Sequence, residues 1–73
     1  MYILFYMEFG ERFRKIRLDN NLTQKEVAVK LGIAQTNISS WEHDNTRPEY
    51  ENLIKLAKLY DVSTDELLGI ESL

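Results

Sequence analysis

Cysteine is absent from this chain of 73 residues, so neither a disulfide nor a cysteine-based zinc site can hold it together. The one histidine cannot build a metal site alone, and no metal or other cofactor is expected. A membrane-spanning run is also missing. The longest apolar stretch, residues 1–7, falls far short of the roughly 20 residues that a transmembrane helix needs. That stretch lacks the basic start and small-residue cleavage site of a signal peptide. Asn21-Leu22-Thr23 and Asn37-Ile38-Ser39 match the glycosylation triplet, a pattern short enough to arise by chance. These absences fit a cytoplasmic protein without a membrane role. A domain of this size has little core to spare, so it must rely on well-organised helix packing, on pairing with a second copy, or on both.

Positive net charge is lacking too: the formal total is −3, whereas nucleic-acid-binding domains are usually basic. The distribution is uneven, however. Residues 9–48 carry seven basic side chains (Arg12, Arg14, Lys15, Arg17, Lys25, Lys30, Arg47) against five acidic ones (Glu11, Asp19, Glu26, Glu42, Asp44). Residues 49–73 carry only Lys55 and Lys58 against Glu49, Glu51, Asp61, Asp65, Glu66 and Glu71, and Glu8 supplies the last negative charge. On charge alone, two solvated faces and a polyanion-binding half explain this polarity equally well.

Enzyme chemistry has no support. There is no nucleophile–base pair, glycine-rich phosphate loop or metal set. His43 is the side chain whose unperturbed pKa lies near neutrality, and Glu42 and Asp44 flank it. Consecutive helical residues point in different directions, so these three do not form a catalytic group.

What is present is helical periodicity, which predicts an all-α fold: a compact bundle of about five short helices. Residues 1–7 form an apolar N-terminal extension, with an extended preference from their aromatic and β-branched side chains. An equally open alternative is that Met7 is the true start. Residues 8–70 form the domain. A first helix over 8–20 places Phe9, Phe13 and Ile16 on one face and ends at Asn20-Asn21. A second starts at Thr23, where Thr23-Gln24-Lys25-Glu26 is a capping box, and stops at Gly32. A third runs over 35–43 with Ile38 and Trp41 inward, and Ala34 is a poor cap for it. Residues 44–48 form a loop. A fourth helix over 49–60 carries a stripe of Leu53, Ile54, Ala57 and Tyr60 with Leu56 beside it. A second capping box, Ser63-Thr64-Asp65-Glu66, opens a short fifth helix that Gly69 ends.

Residues 24–43 hold the most specific arrangement. Two short helices crossing at roughly 90–120° need a small residue where they approach, a turn that tolerates positive φ, and apolar anchors inside. Ala28, Gly32 and the set Val27, Leu31, Ile33, Ile38 and Trp41 meet these needs at mutually consistent spacing. An ordinary helical hairpin is the plainer account, and each residue taken singly would allow it. The joint match favours a helix-turn-helix.

Leu22-Thr23-Gln24-Lys25-Glu26-Val27-Ala28-Val29-Lys30-Leu31-Gly32-Ile33, then Gln35-Thr36-Asn37-Ile38-Ser39-Ser40-Trp41-Glu42, then Arg47-Pro48 and Leu53-Ile54-Lys55-Leu56-Ala57-Lys58-Leu59-Tyr60-Asp61-Val62-Ser63, resemble the lambda-type repressor and Cro family, also called the xenobiotic-response-element family. The resemblance covers residues 9–69. It implies a prokaryotic or phage transcriptional regulator, most often a repressor, that binds a double-stranded DNA operator with its third helix in the major groove. Gln35, Thr36 and Ser40 match base-facing positions, flanked by Asn37 and Ser39. Gln pairs well with adenine, and Ser and Thr bond either way. Gln24 matches a residue that bonds a phosphate and braces the glutamine at the Gln35 position. Asn45, Thr46 and Arg47 match a backbone-touching loop. Lys25, with Arg12, Arg14 and Lys15, adds phosphate attraction or is simply solvated charge. Arg17 and Glu42 match a structural ion pair. Relatives commonly act as homodimers, here through Leu67, Leu68 and Ile70 or through residues 1–7, and some engage a regulatory protein partner. A protein-interaction module is therefore the alternative function.

Three departures stand out. No Lys or Arg lies between Lys30 and Arg47, so the third helix lacks an arginine for guanine, which favours A·T-containing sites. Ala34 replaces a hydroxyl cap. Asp44 stands where many relatives have glycine, placing a negative charge near DNA. Trp41 reads as core, with its indole N–H a further phosphate donor at most.

Overall fold

The computed structural model describes residues 2–4 and 9–72. Five helices follow one another: α1 (Phe9–Asp19), α2 (Gln24–Leu31), α3 (Gln35–Glu42), α4 (Tyr50–Tyr60) and α5 (Thr64–Leu68). Two three-residue strands, β1 (Tyr2–Leu4) and β2 (Ile70–Ser72), pair antiparallel, with Tyr2 opposite Ser72, Ile3 opposite Glu71 and Leu4 opposite Ile70. The extended preference expected for the N-terminal segment is thus expressed at residues 2–4; residues 1 and 5–7 lie outside the described part. No described helix is long and apolar enough to cross a membrane.

Local chemistry accounts for most helix ends. At α2 both arms of the capping box form: the Glu26 amide donates to Thr23 Oγ1 and the Thr23 amide donates to Glu26 Oε1, each at 3.0 Å. The Thr23 amide also holds the Glu26 carboxyl below the usual glutamate pKa. Gly32 then turns the chain at φ 73°, and the Ile33 amide closes back on the Ala28 carbonyl at 3.0 Å. Ser63 Oγ accepts from the Glu66 amide at 3.0 Å, the hydroxyl arm of the expected second box. Ala34 and Glu49 offer no side-chain cap to α3 and α4. Asn21, Asp44 and Asp61 take left-handed φ values of 58°, 59° and 54°, and their short polar side chains tolerate them better than bulkier residues do. The helices are one or two residues shorter than the periodicity suggests, because cap residues such as Thr23 and Glu49 are already extended.

The core joins all five helices through Phe13, Val27, Ala28, Leu31, Ile38, Trp41, Leu56, Ala57, Tyr60 and Leu67. Val27 and Leu67 are fully buried; removing each from water contributes about 1.5–3 kcal/mol. Two expectations change. On α4 it is Leu56, with Ala57 and Tyr60, that enters the core, while Ile54 is only half-buried, because α5 and α2 cover the helix from that side. Leu67, one of the side chains set aside for a dimer surface, belongs to the interior, whereas Leu68 and Ile70 remain half-buried.

Candidate functional site

The helix-turn-helix forms as its spacing requires. Ala28 is buried between the helices, and Gly32 supplies the left-handed turn. On α3, Ile38, Trp41 and Glu42 are buried. At 100° per residue, Thr36, Ser39, Ser40 and His43 fall on the opposite stripe, while Gln35, one heptad before Glu42, is exposed because it opens the helix. Gln35, Thr36 and Asn37 are exposed, and among the described residues none makes an intramolecular side-chain hydrogen bond. Their donors and acceptors face solvent. Ser39 and Ser40 are half-buried. Ser40 Oγ lies 2.7 Å from Thr46 Oγ1, tying the helix to the loop that follows.

A buried polar network sets the attitude of α3. Arg17 on α1 donates from Nε to Glu42 Oε2 at 2.6 Å and from Nη2 to Glu42 Oε1 at 3.0 Å, a two-pronged pair that geometry favours. Its third donor, Nη1, reaches the Leu22 carbonyl at 2.8 Å. Arg17 and Glu42 are 7% and 9% exposed, so neither charge is left to water alone. The hydrogen bonds that Arg17 donates to the Glu42 carboxylate raise the Arg17 pKa above its already high value. Gln24 Nε2 completes the set at 3.1 Å from Glu42 Oε1. One network therefore binds the end of α1, the start of α2 and the end of α3. Gln24 is braced through Glu42 here, and its second amide proton stays available.

The loop after α3 is equally fastened. The Asn45 amide donates to the Ser40 carbonyl at 3.0 Å. Asp44 Oδ1 accepts from the Gly10 amide in the first turn of α1 at 3.0 Å and from Arg47 Nη1 at 3.0 Å. The Arg47 guanidinium carbon sits 5.2 Å from the centroid of the Phe9 ring. Asn37, Trp41, Thr46, Arg47, Glu49 and Asn52 line one open groove between α3 and the start of α4.

Of the residues expected at the site, the structure gathers Asn37, Thr46 and Arg47 at this groove and couples Gln24 to α3. Lys25 stands apart: it borders a shallow surface with Glu26, Val29 and Lys30 along α2. Sequence reasoning passed over Gly10 and Asn52. A Cβ on Gly10 would lie 2.4 Å from the Glu42 carbonyl oxygen and 2.7 Å from that of Trp41, so only glycine lets α1 approach α3 this closely. No local signal marks that contact. His43 was weighed only as a catalyst, yet it ends the exposed stripe, where its Nδ1–H donates to the Ser39 carbonyl at 2.8 Å.

Comparison with known proteins agrees with this geometry. A family model described as helix-turn-helix matches residues 13–67. The HTH-type transcriptional regulator ImmR of Bacillus subtilis is 46% identical over 63 residues, 86% of this chain and 50% of its own length. The chain thus spans about half the length, or less, of the curated relatives it matches. Among solved structures, the c2 repressor of Salmonella phage P22 in complex with a synthetic operator superposes with a TM-score of 0.77 at 37% identity, covering 82% of this chain and 91% of that one. The Bacillus subtilis biofilm regulator SinR in complex with DNA gives a TM-score of 0.75 at 31% identity, covering 82% and 97%.

Proposed function

The chain belongs to the helix-turn-helix family, of the lambda repressor and Cro type, and from that premise we propose that it is a sequence-specific, double-stranded-DNA-binding regulator of transcription that acts as a repressor in the cytoplasm. One observation carries the reading: α3 presents Thr36, Ser39 and Ser40 on an outward polar stripe, with Gln35 exposed at its first turn, while its other face is locked into the core through Glu42. A preordered helix of this kind meets base edges without first losing conformational freedom. Gln35 is the residue for adenine, Thr36, Asn37, Ser39 and Ser40 complete the base-facing surface, and Gln24, Lys25, Asn45, Thr46 and Arg47 hold phosphates. The absence of Lys and Arg on α3 makes the readout rich in A·T pairs and weak per monomer. Two copies on an inverted repeat then supply the affinity, with half-sites about one helical turn apart. The family is one of DNA-binding regulators rather than of enzymes.

The test is selection from a pool of random duplex DNA at two salt concentrations, followed by sequencing of what is retained. An inverted repeat, bound less tightly as salt rises, is the expected result. Gln35→Ala should relax one base position in each half-site, and Arg47→Ala should weaken all sequences alike. A folded protein that enriches nothing at either salt would move a protein partner into first place, a role with a parallel in the complex of SinR with SinI.

A further inference from the structure

Asp44, like Glu49 on the neighbouring groove, is a side chain that the DNA-binding role alone does not explain, since a carboxylate beside a phosphate backbone is repulsive; Asp44 differs in holding both the Gly10 amide and Arg47. We infer that it is a positioning residue for Arg47, an inference that rests on the phosphate role proposed for that arginine. One oxygen, Asp44 Oδ1, receives two donors at 3.0 Å each: the Gly10 amide from the first turn of α1, and Arg47 Nη1. The first contact anchors the carboxylate to the domain, where the positive end of the helix dipole also favours it. The second hands that anchorage to the guanidinium, whose carbon lies 5.2 Å from the Phe9 ring centroid. Phe9 in turn packs on the core. A long loop side chain is thus held on two sides in the free protein.

The hold leaves the working edge open. Arg47 has five N–H donors and gives one of them to Asp44. Its side chain is 52% exposed while that of Asp44 is 29% exposed, so the arginine stands further out, at the rim of the groove shared with Asn37, Trp41 and Thr46. A phosphate can take the free donors without breaking the Asp44 contact. Part of the rotamer freedom that Arg47 would lose on binding is thus given up in the free protein, which offsets the repulsion of one carboxylate.

A double-mutant cycle decides it: wild type, Asp44→Asn, Arg47→Ala and the double variant, each titrated with a short duplex of random sequence at several salt concentrations. Asparagine accepts the left-handed φ of 59° and can still take the Gly10 amide. Asp44→Gly, unstrained at that φ, repeats the cycle should Asp44→Asn unfold, and thermal melts check both. With Arg47→Ala present, removing the Asp44 charge should tighten binding about twofold. With Arg47 intact it should weaken binding, a coupling of about threefold or more. The slope of log K against log salt should also move part of the way towards that of Arg47→Ala, which a purely structural loss would not cause. Equal effects of Asp44→Asn in both backgrounds would overturn positioning and leave Asp44 a plain charge. A larger gain with Arg47 intact would also overturn it, making Asp44 a restraint. An Arg47→Ala variant with unchanged affinity and slope would remove the phosphate role itself and the inference with it.

Discussion

Replacing Glu42 by alanine strips three hydrogen bonds from the interior at once: those from Arg17 Nε at 2.6 Å, Arg17 Nη2 at 3.0 Å and Gln24 Nε2 at 3.1 Å. The arginine then keeps only the Leu22 carbonyl as a partner while remaining buried. Breaking a buried pair from one side costs about 3–5 kcal/mol, because an uncompensated charge stays behind. At about 0.05–0.15 kcal/mol per residue, a domain of 73 residues has roughly 4–11 kcal/mol in total, so Glu42→Ala should leave it close to unfolding. Removing both charges should act differently: Arg17→Met with Glu42→Leu fills similar volume without a stranded ion and should be neutral or stabilising by about 1–4 kcal/mol. Urea unfolding followed by the fluorescence of Trp41, the chain's one tryptophan and itself buried, reads both quantities. DNA affinity should separate from stability in the double variant, since Gln24 loses its brace even where the fold is recovered. A Glu42→Ala cost below about 1 kcal/mol would refute the reasoning, for that is how a solvent-screened surface pair behaves.

Gly10→Ala should destabilise the domain by about 1–3 kcal/mol despite alanine's better helix propensity, because the new methyl meets the backbone carbonyls of Trp41 and Glu42; thermal denaturation checks this. Ala34→Ser should stabilise by about 1 kcal/mol in the same assay, since the extended backbone of residue 34 (φ −74°, ψ 144°) is that of a cap and its side chain now supplies no acceptor. Burial pushes the Tyr60 phenol from 10.0 up to about 12, so the folded state holds its proton more tightly than the unfolded chain. That contribution is complete below pH 10 and is lost as pH rises to about 12, a fall on the order of 1–2 kcal/mol once solvent screening is allowed for, visible in urea midpoints and absent in Tyr60→Phe.

Much of the architecture was legible from local patterns. The Thr23–Glu26 box, the Gly32 turn and the 3.6-residue spacing of Val27, Leu31, Ile38 and Trp41 each act within a turn or two of helix, so the residues themselves specify α2, α3 and the angle between them. The outward stripe of α3 follows from the same period once its inner face is known. The lack of a cap at Ala34 was visible as well.

Long-range partners were not legible in the residues alone. The resemblance to relatives proposed Arg17 with Glu42, but it paired Gln24 with the position of Gln35; the structure brings Gln24 to Glu42 across 18 residues of sequence. Asp44 read as an unhelpful charge until the start of α1 came within 3.0 Å of it, 34 residues away in sequence. Leu67 read as part of a candidate dimer surface, and Leu56 stood beside the stripe that included Ile54; the packing of α5 took Leu67 and Leu56 into the core. Caps, turns and periodicity are decided by neighbours a few residues apart, and the sequence by itself determined those. Which helix a side chain finally meets depends on how all five bury their apolar faces together, and only the tertiary structure decided that.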